Sequence, residues 1–238
     1  MRLRSVAVLA GTAAACGIVL AAPAAWAAKA NANALVSKAV SASALARTVT
    51  VTGKATQGKE TITLSVQASA SAAGQGSIGI NGAVVHAIRL GPNVYFNANQ
   101  KFWKLNGGAA AAALFVGKWV ETAATTNDGQ SLAQFLSVNT LFRQLFSGNI
   151  NTATFTKGRN TTINGVAVTA VNGKDPSGGT NGTIYIARSG VPYVVELKSV
   201  GGTGGTSTVF FSAYNQPVHP VAPKNPVDID QLKPATSG

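Results

Sequence analysis

The sequence predicts an α+β fold: a large curved antiparallel β-sheet, an open half-barrel of about ten or eleven strands, with helices covering its concave face. Three observations carry this expectation. Apolar and hydroxyl residues alternate with period two along most of the chain, as in Val49 and Val51 between Thr48, Thr50 and Thr52. Glycine turns, two of them Asn-Gly, separate these runs at hairpin spacing. Two segments, residues 31–47 and 131–146, space their apolar residues as one face of a helix. A single curved sheet cannot bury its own concave face, so the helices must cover it.

The first 27 residues have the layout of a secretory signal peptide. Arg2 and Arg4 form a positive start, residues 5–22 are an apolar, small-residue run, and Ala25-Trp26-Ala27 offers small residues at a cleavage site. A retained anchor is the alternative, because the run approaches the roughly 20 residues that span a bilayer. Cys16 opens a third reading, lipidation, since Ala13-Ala14-Ala15-Cys16-Gly17 is a loose lipobox. Against it, the chain stays apolar from Gly17 to Ala27 instead of turning polar. Cleavage after Ala27 removes the only cysteine. The fold is then held by core burial, without a disulfide.

Beyond the leader, Leu35, Val36, Ala39, Val40 and Leu45 share one face of the first helix. Strands follow around Val49–Val51 and Ile62–Val66, joined by a hairpin at Gly58-Lys59. Ile78 and Ile80 lead into the Asn81-Gly82 turn, and residues 84–90 return. Gly91-Pro92 breaks that strand, and residues 94–96 form another. The middle is an Ala-rich aromatic segment from Phe102 to Trp119, then the helix of residues 131–146, capped near Asp128 and Ser131 and ended by Gly148. Strands are expected again at 152–157, 161–163, 166–172, 183–187, 192–199 and 206–214, with turns at Asn164-Gly165 and Ser189-Gly190. The organisation is a leader over 1–27, one domain over 28–216, and a Pro-rich tail over 217–238 that runs along the surface.

The chemistry is narrowed by composition. The chain has 19 basic residues, 7 acidic ones and 2 histidines, a thin supply for acid–base catalysis. No nucleophile elbow, phosphate loop or dinucleotide fingerprint occurs, and His86 and His219 have no clustered ligands to form a metal site. The reading is therefore a non-enzyme without cofactor or metal. Cleavage of the leader removes two basic residues and leaves 17 against 7 acids, a net charge of +10. Those charges are scattered and lack the interleaved stacking aromatics of nucleic-acid binders. They fit an anionic membrane surface or cell-wall polymer instead, or plain solubility.

The strongest functional signal is aromatic. Phe96, Phe102, Trp103, Phe115, Trp119, Leu132, Phe135, Leu136, Phe142 and Phe146 are the candidate lining of an apolar cavity between sheet and helices. His86 shares strand parity with Val84, Ile88 and Leu90 and is placed at its rim, pointing inward. Each of these residues has a plain alternative, a place in the packed core. A cavity of this kind needs no catalytic group. Each CH₂ that enters it from water gains roughly 0.8 kcal/mol, so a ~16-carbon chain supplies a gross ~12 kcal/mol before ordering costs.

Several stretches carry a family resemblance. They are Val94-Tyr95-Phe96 leading to Lys101-Phe102-Trp103, then Gly117-Lys118-Trp119-Val120, then Gly182-Thr183-Ile184-Tyr185-Ile186 leading to Gly190-Val191-Pro192-Tyr193-Val194-Val195, and the closing Phe210-Phe211-Ser212-Ala213-Tyr214-Asn215 with Pro223 and Pro226. With the order of elements, the chain resembles the LolA-like half-barrel lipoprotein carriers, and among them the actinobacterial LppX/LprG-type envelope proteins. The resemblance implies a monomer that holds lipid or a lipidated molecule in the half-barrel and moves it through the cell envelope. An envelope sensor or protein-interaction module on the same fold is the rival expectation.

Overall fold

The computed structural model describes residues 22–146, 154–174, 180–201 and 205–231. Residues 1–21, and with them Cys16 and most of the expected leader, lie outside the described residues, as does Gly148. The described strands form one twelve-stranded sheet. Five strands come first: β1 (Thr48–Gln57), β2 (Glu60–Ser69), β3 (Ala73–Ile80), β4 (Ala83–Leu90) and β5 (Asn93–Ala98). They are a meander of hairpins, because each turn has the chemistry it needs. At Asn81-Gly82 both residues take positive φ, 51° and 81°, and Asn164-Gly165 does the same at 48° and 81°.

Helix α1 (Ala22–Ala44) precedes this meander; α2 (Gln100–Phe115), β6 (Val120–Ala123), α3 (Asn127–Phe135) and α4 (Val138–Phe146) follow it. The second half is β7 (Thr154–Ile163), β8 (Val166–Lys174), β9 (Thr180–Ala187), β10 (Val194–Gly201) and β11 (Thr206–Ser212), with β12 (Val227–Asp228) in the tail. The spatial order is β12-β6-β5-β4-β3-β2-β1-β11-β10-β9-β8-β7. The two halves join where β1 pairs antiparallel with β11, Val51 opposite Phe211. The sheet stays open, with β12 and β7 at its edges.

One face of the sheet carries the core. Val49, Val51, Val66, Ala68, Val85, Ala87, Phe96, Val120, Ile184 and Phe211 are buried under the helices in one continuous apolar cluster. Helix α1 contributes Ala32, Val36, Ala39 and the fully buried Ser43, a stripe at spacings of three and four. It packs on β7, β9 and β10, and against α4. Strand β3 admits a close approach from the helical layer. A Cβ added at Gly74 would lie 3.0 Å from the carbonyl oxygens of both Gln67 and Leu136, and one at Gly76 would lie 2.5 Å from that of Ser65.

The structure corrects several expectations. The helix expected over 131–146 is two helices. Thr126, not Asp128 or Ser131, caps α3, its hydroxyl accepting from the Gly129 N–H at 3.1 Å. The break falls where the Leu136 carbonyl accepts the Ser69 N–H at 3.1 Å and Ser137 bridges Ser69, so a sheet contact outcompetes helix continuation. Leu45 lies past the end of α1 and is 81% exposed. The two strands expected at 152–157 and 161–163 are one, β7, with a bulge between Lys157 and Asn160. The tail does enter the sheet: Val227 and Asp228 pair in parallel with Val120 and Glu121 at the edge.

Candidate functional site

The candidate site is the aromatic seam between the sheet and helices α2 to α4. Strand β5 turns Val94, Phe96 and Ala98 to the helix-covered face by simple alternation. Asn99 then caps α2, its side-chain oxygen accepting the Phe102 N–H at 3.0 Å. That cap fixes the first turn and drops Trp103 onto Phe96, ring centroids 5.7 Å apart. Phe102 meets Trp103 edge to face at 5.4 Å, and Phe115 lies 4.9 Å from it on the other side. Trp103 is 6% exposed, and its indole N–H has no hydrogen-bond acceptor. A buried donor without a partner is uncommon and costly.

A second aromatic group lies further along the same core. Phe142 stacks on Phe146 at 5.9 Å and on Phe211 of β11 at 5.1 Å. Helix α4 presents Val138, Leu141, Phe142 and Phe146 as its buried face. Phe96, Trp103, Leu136, Phe142 and Phe146 are thus buried in the common core, whereas Phe102, Phe115, Leu132 and Phe135 are partly buried and pack against it. These nine predicted residues are brought together. Phe211 belongs with them and was not singled out as lining, although its alternation with Val209 in β11 carried the signal.

His86 and Trp119 are not part of this seam. His86 is exposed and lies on the opposite face of the sheet, across from Ser77 and Asn97. Strand β4 has apolar residues at both parities, so the parity of Val84, Ile88 and Leu90 did not identify the buried face; Val85 and Ala87 did. Trp119 is partly buried and borders, with His86, a groove of about 420 Å³ on that open face. Polar Thr50, Ser65, Gln67, Gln75 and Ser77 line the rest together with Val66, Gly76, Ala87 and Ile88, and the Gln75 amide donates to the Gln67 side-chain oxygen at 2.7 Å. Among the described residues no three His, Cys, Asp or Glu side chains group as metal ligands, and no helix is long and apolar enough to cross a membrane.

A structure search places this architecture. Lipoprotein LppX of Mycobacterium tuberculosis superposes with a TM-score of 0.52 at 16% identity, over 80% of this chain and 98% of LppX. LprF from Mycobacterium bovis gives 0.52 at 14% identity, over 82% of this chain and 97% of LprF. The fold is that of LppX and LprF. No protein-family model matches the sequence, and no curated protein matches it either. The open twelve-stranded sheet with its four described helices is the expected α+β half-barrel.

Proposed function

We propose that the protein is a non-catalytic binder of lipid or a lipidated molecule, exported to the cell envelope, where it carries that molecule between partners. The observation that carries this reading is the unsatisfied indole N–H of Trp103, buried among Phe96, Phe102 and Phe115. A folded protein that leaves such a donor unpaired has reason to do so when a guest supplies the acceptor. An acyl ester does, with a carbonyl for the N–H and hydrocarbon for the rings. The partly buried Phe102, Phe115, Leu132 and Phe135 at the margin of the core are where such a guest would enter. The resemblance of the fold to that of lipoprotein LppX and of LprF supports the same class.

Mass spectrometry of gently purified protein tests this directly: a bound lipid of defined mass is expected, and its absence together with no uptake of an acyl-ester probe would refute the proposal. Trp103→Phe sharpens the test. It removes the orphaned donor together with part of a buried ring, so its effects on the stability of the ligand-free protein oppose each other. Affinity for an acyl-ester probe should fall about two- to tenfold, the worth of one hydrogen bond. A variant that binds the probe as tightly as the parent would show that the indole N–H plays no part.

A further inference from the structure

Helix α2 is bent back on itself. Residues 103 and 115 of a straight helix would be about 18 Å apart along the axis, yet the rings of Trp103 and Phe115 touch at 4.9 Å. The bend is at Gly108, whose φ of 74° and ψ of −170° no helix contains. Next to it, a Cβ at Gly107 would lie 2.5 Å from the Cβ of Ala111. The two arms therefore make a short helical hairpin with Gly107-Gly108 at its tip. Every residue from Lys104 to Ala110 is exposed.

The chemistry of this hairpin is ordered by height. The tip is uncharged and small: Asn106, Gly107, Gly108, Ala109 and Ala110. Leu105 beside it is 70% exposed, and Leu114 and Val116 on the returning arm are 58% and 44% exposed. Three exposed lysines, Lys101, Lys104 and Lys118, flank the same hairpin. No acidic residue occurs between 99 and 119. Lys101 is held in place by donating to the Asn81 carbonyl. Beneath the hairpin stands the Trp103 stack, which continues into the core.

We infer that the α2 hairpin docks the protein on an anionic lipid bilayer, its uncharged tip and exposed leucines entering the headgroup boundary and its lysines meeting the anionic headgroups. Exposed leucines on a cationic, acid-free support are the composition of an interfacial anchor. A polyanion in solution would use the lysines and leave Leu105 and Leu114 in water. A bilayer uses both. The docked hairpin brings the Trp103 seam to the membrane, where an acyl guest would have the shortest path from leaflet to core. The docking itself does not depend on that guest.

Vesicle flotation of the protein as exported by an expressing host tests the inference. Binding to vesicles of phosphatidylcholine with about 30% phosphatidylglycerol is expected to exceed binding to pure phosphatidylcholine. Neutralising Lys101, Lys104 and Lys118 to Gln should lower the anionic affinity about fivefold for each lysine. The double variant Leu105→Gln/Leu114→Gln should lose binding to the anionic vesicles while retaining its unfolding midpoint, because both side chains are exposed. Residues 5–22 are common to all variants, so differences between them report the hairpin. Equal flotation of all variants, or no preference for the anionic vesicles, would overturn the inference. So would binding that survives the leucine changes and is matched by a soluble anionic polymer, since that result assigns the lysines to a polyanion. Bound lipid in the purified protein is measured separately, so failure of docking and failure of the carrier reading are distinct results.

Discussion

Tyr214 fastens the chain that leaves β11 to strand β10. Its hydroxyl donates to the Val194 carbonyl at 2.7 Å, and its ring stacks on Tyr193 at 4.0 Å. At the N–H of the same residue, the buried Ser43 of α1 accepts from Val194 at 2.9 Å. One β10 residue is thus tied to the first helix and to the start of the tail. Burial, above all, pushes the Tyr214 phenol far above its ordinary value of 10.0, and the neighbouring Tyr193 adds to the rise. The neutral form is therefore favoured in the folded state. Its contribution is complete below about pH 10, where the unfolded tyrosine is also neutral, and declines as pH climbs from there toward the raised folded value, by up to about 1.4 kcal/mol per unit. Tyr214→Phe should cost about 1 kcal/mol at neutral pH, from the lost hydrogen bond, and should flatten the alkaline decline. Urea unfolding at pH 8 and above pH 10 checks both. Parallel alkaline limbs in the two proteins would contradict the assignment.

At the scale of elements, α4 is the helix whose loss the core would feel most. Its buried face meets α1, and Phe142 joins it to Phe211 across the sheet. Phe142 is 1% exposed, so truncation leaves a cavity that its neighbours cannot fill. Phe142→Ala should destabilise by about 3–5 kcal/mol, whereas Phe135→Ala, at a partly buried site on α3, should cost clearly less. A larger loss at Phe135 would show that α3 is the better-packed helix. The same elements show where sequence reading reaches its limit. The apolar spacing of Leu132, Phe135, Leu136, Leu141, Phe142 and Phe146 is legible as helical, and so is the face they cover. The break between Leu136 and Ser137 is not, because nothing local forbids a helix there; the Ser69 N–H takes the Leu136 carbonyl from outside. His86 is the matching case in a strand. Alternation places it opposite Val85 and Ala87, but only the helical layer decides which of the two faces is covered.

At the scale of the molecule, the sheet is closed at neither end and its two edges are treated differently. Strand β7 lies under α1. Strand β6 is covered by the tail, where Val227 N–H donates to the Trp119 carbonyl at 2.8 Å and Ile229 N–H to the Glu121 carbonyl at 3.0 Å. Asp230 completes the seal, accepting from the Ala123 N–H at 2.9 Å and from the Thr122 hydroxyl, while Ile229 packs against the core. Ending the chain after Pro226 should cost at least about 2 kcal/mol, given a carboxylate held by two donors. It should also make the protein prone to self-association through the bared β6 edge. Denaturant unfolding and sedimentation check the two effects. A truncated chain that stays monomeric with an unchanged midpoint would mean that the tail is ornamental.

The sequence by itself determined most of the strands (though not β6 or β12), the hairpin turns and the helical stripes of this protein, because these depend on period two, on period 3.6 and on the positive φ that Asn-Gly accepts, all within a few residues. It also determined the aromatic richness of the middle segment and the scarcity of acids. Only the tertiary structure decided that α2 folds back at Gly108, that Trp103 is buried without an acceptor, that His86 and Trp119 border one groove on the open face, and that the tail's Val227 finds β6. Each of these is a contact between residues distant in sequence or a choice between two faces that alternation leaves equivalent. Such choices follow from which surfaces meet, and no short stretch of chain contains both surfaces.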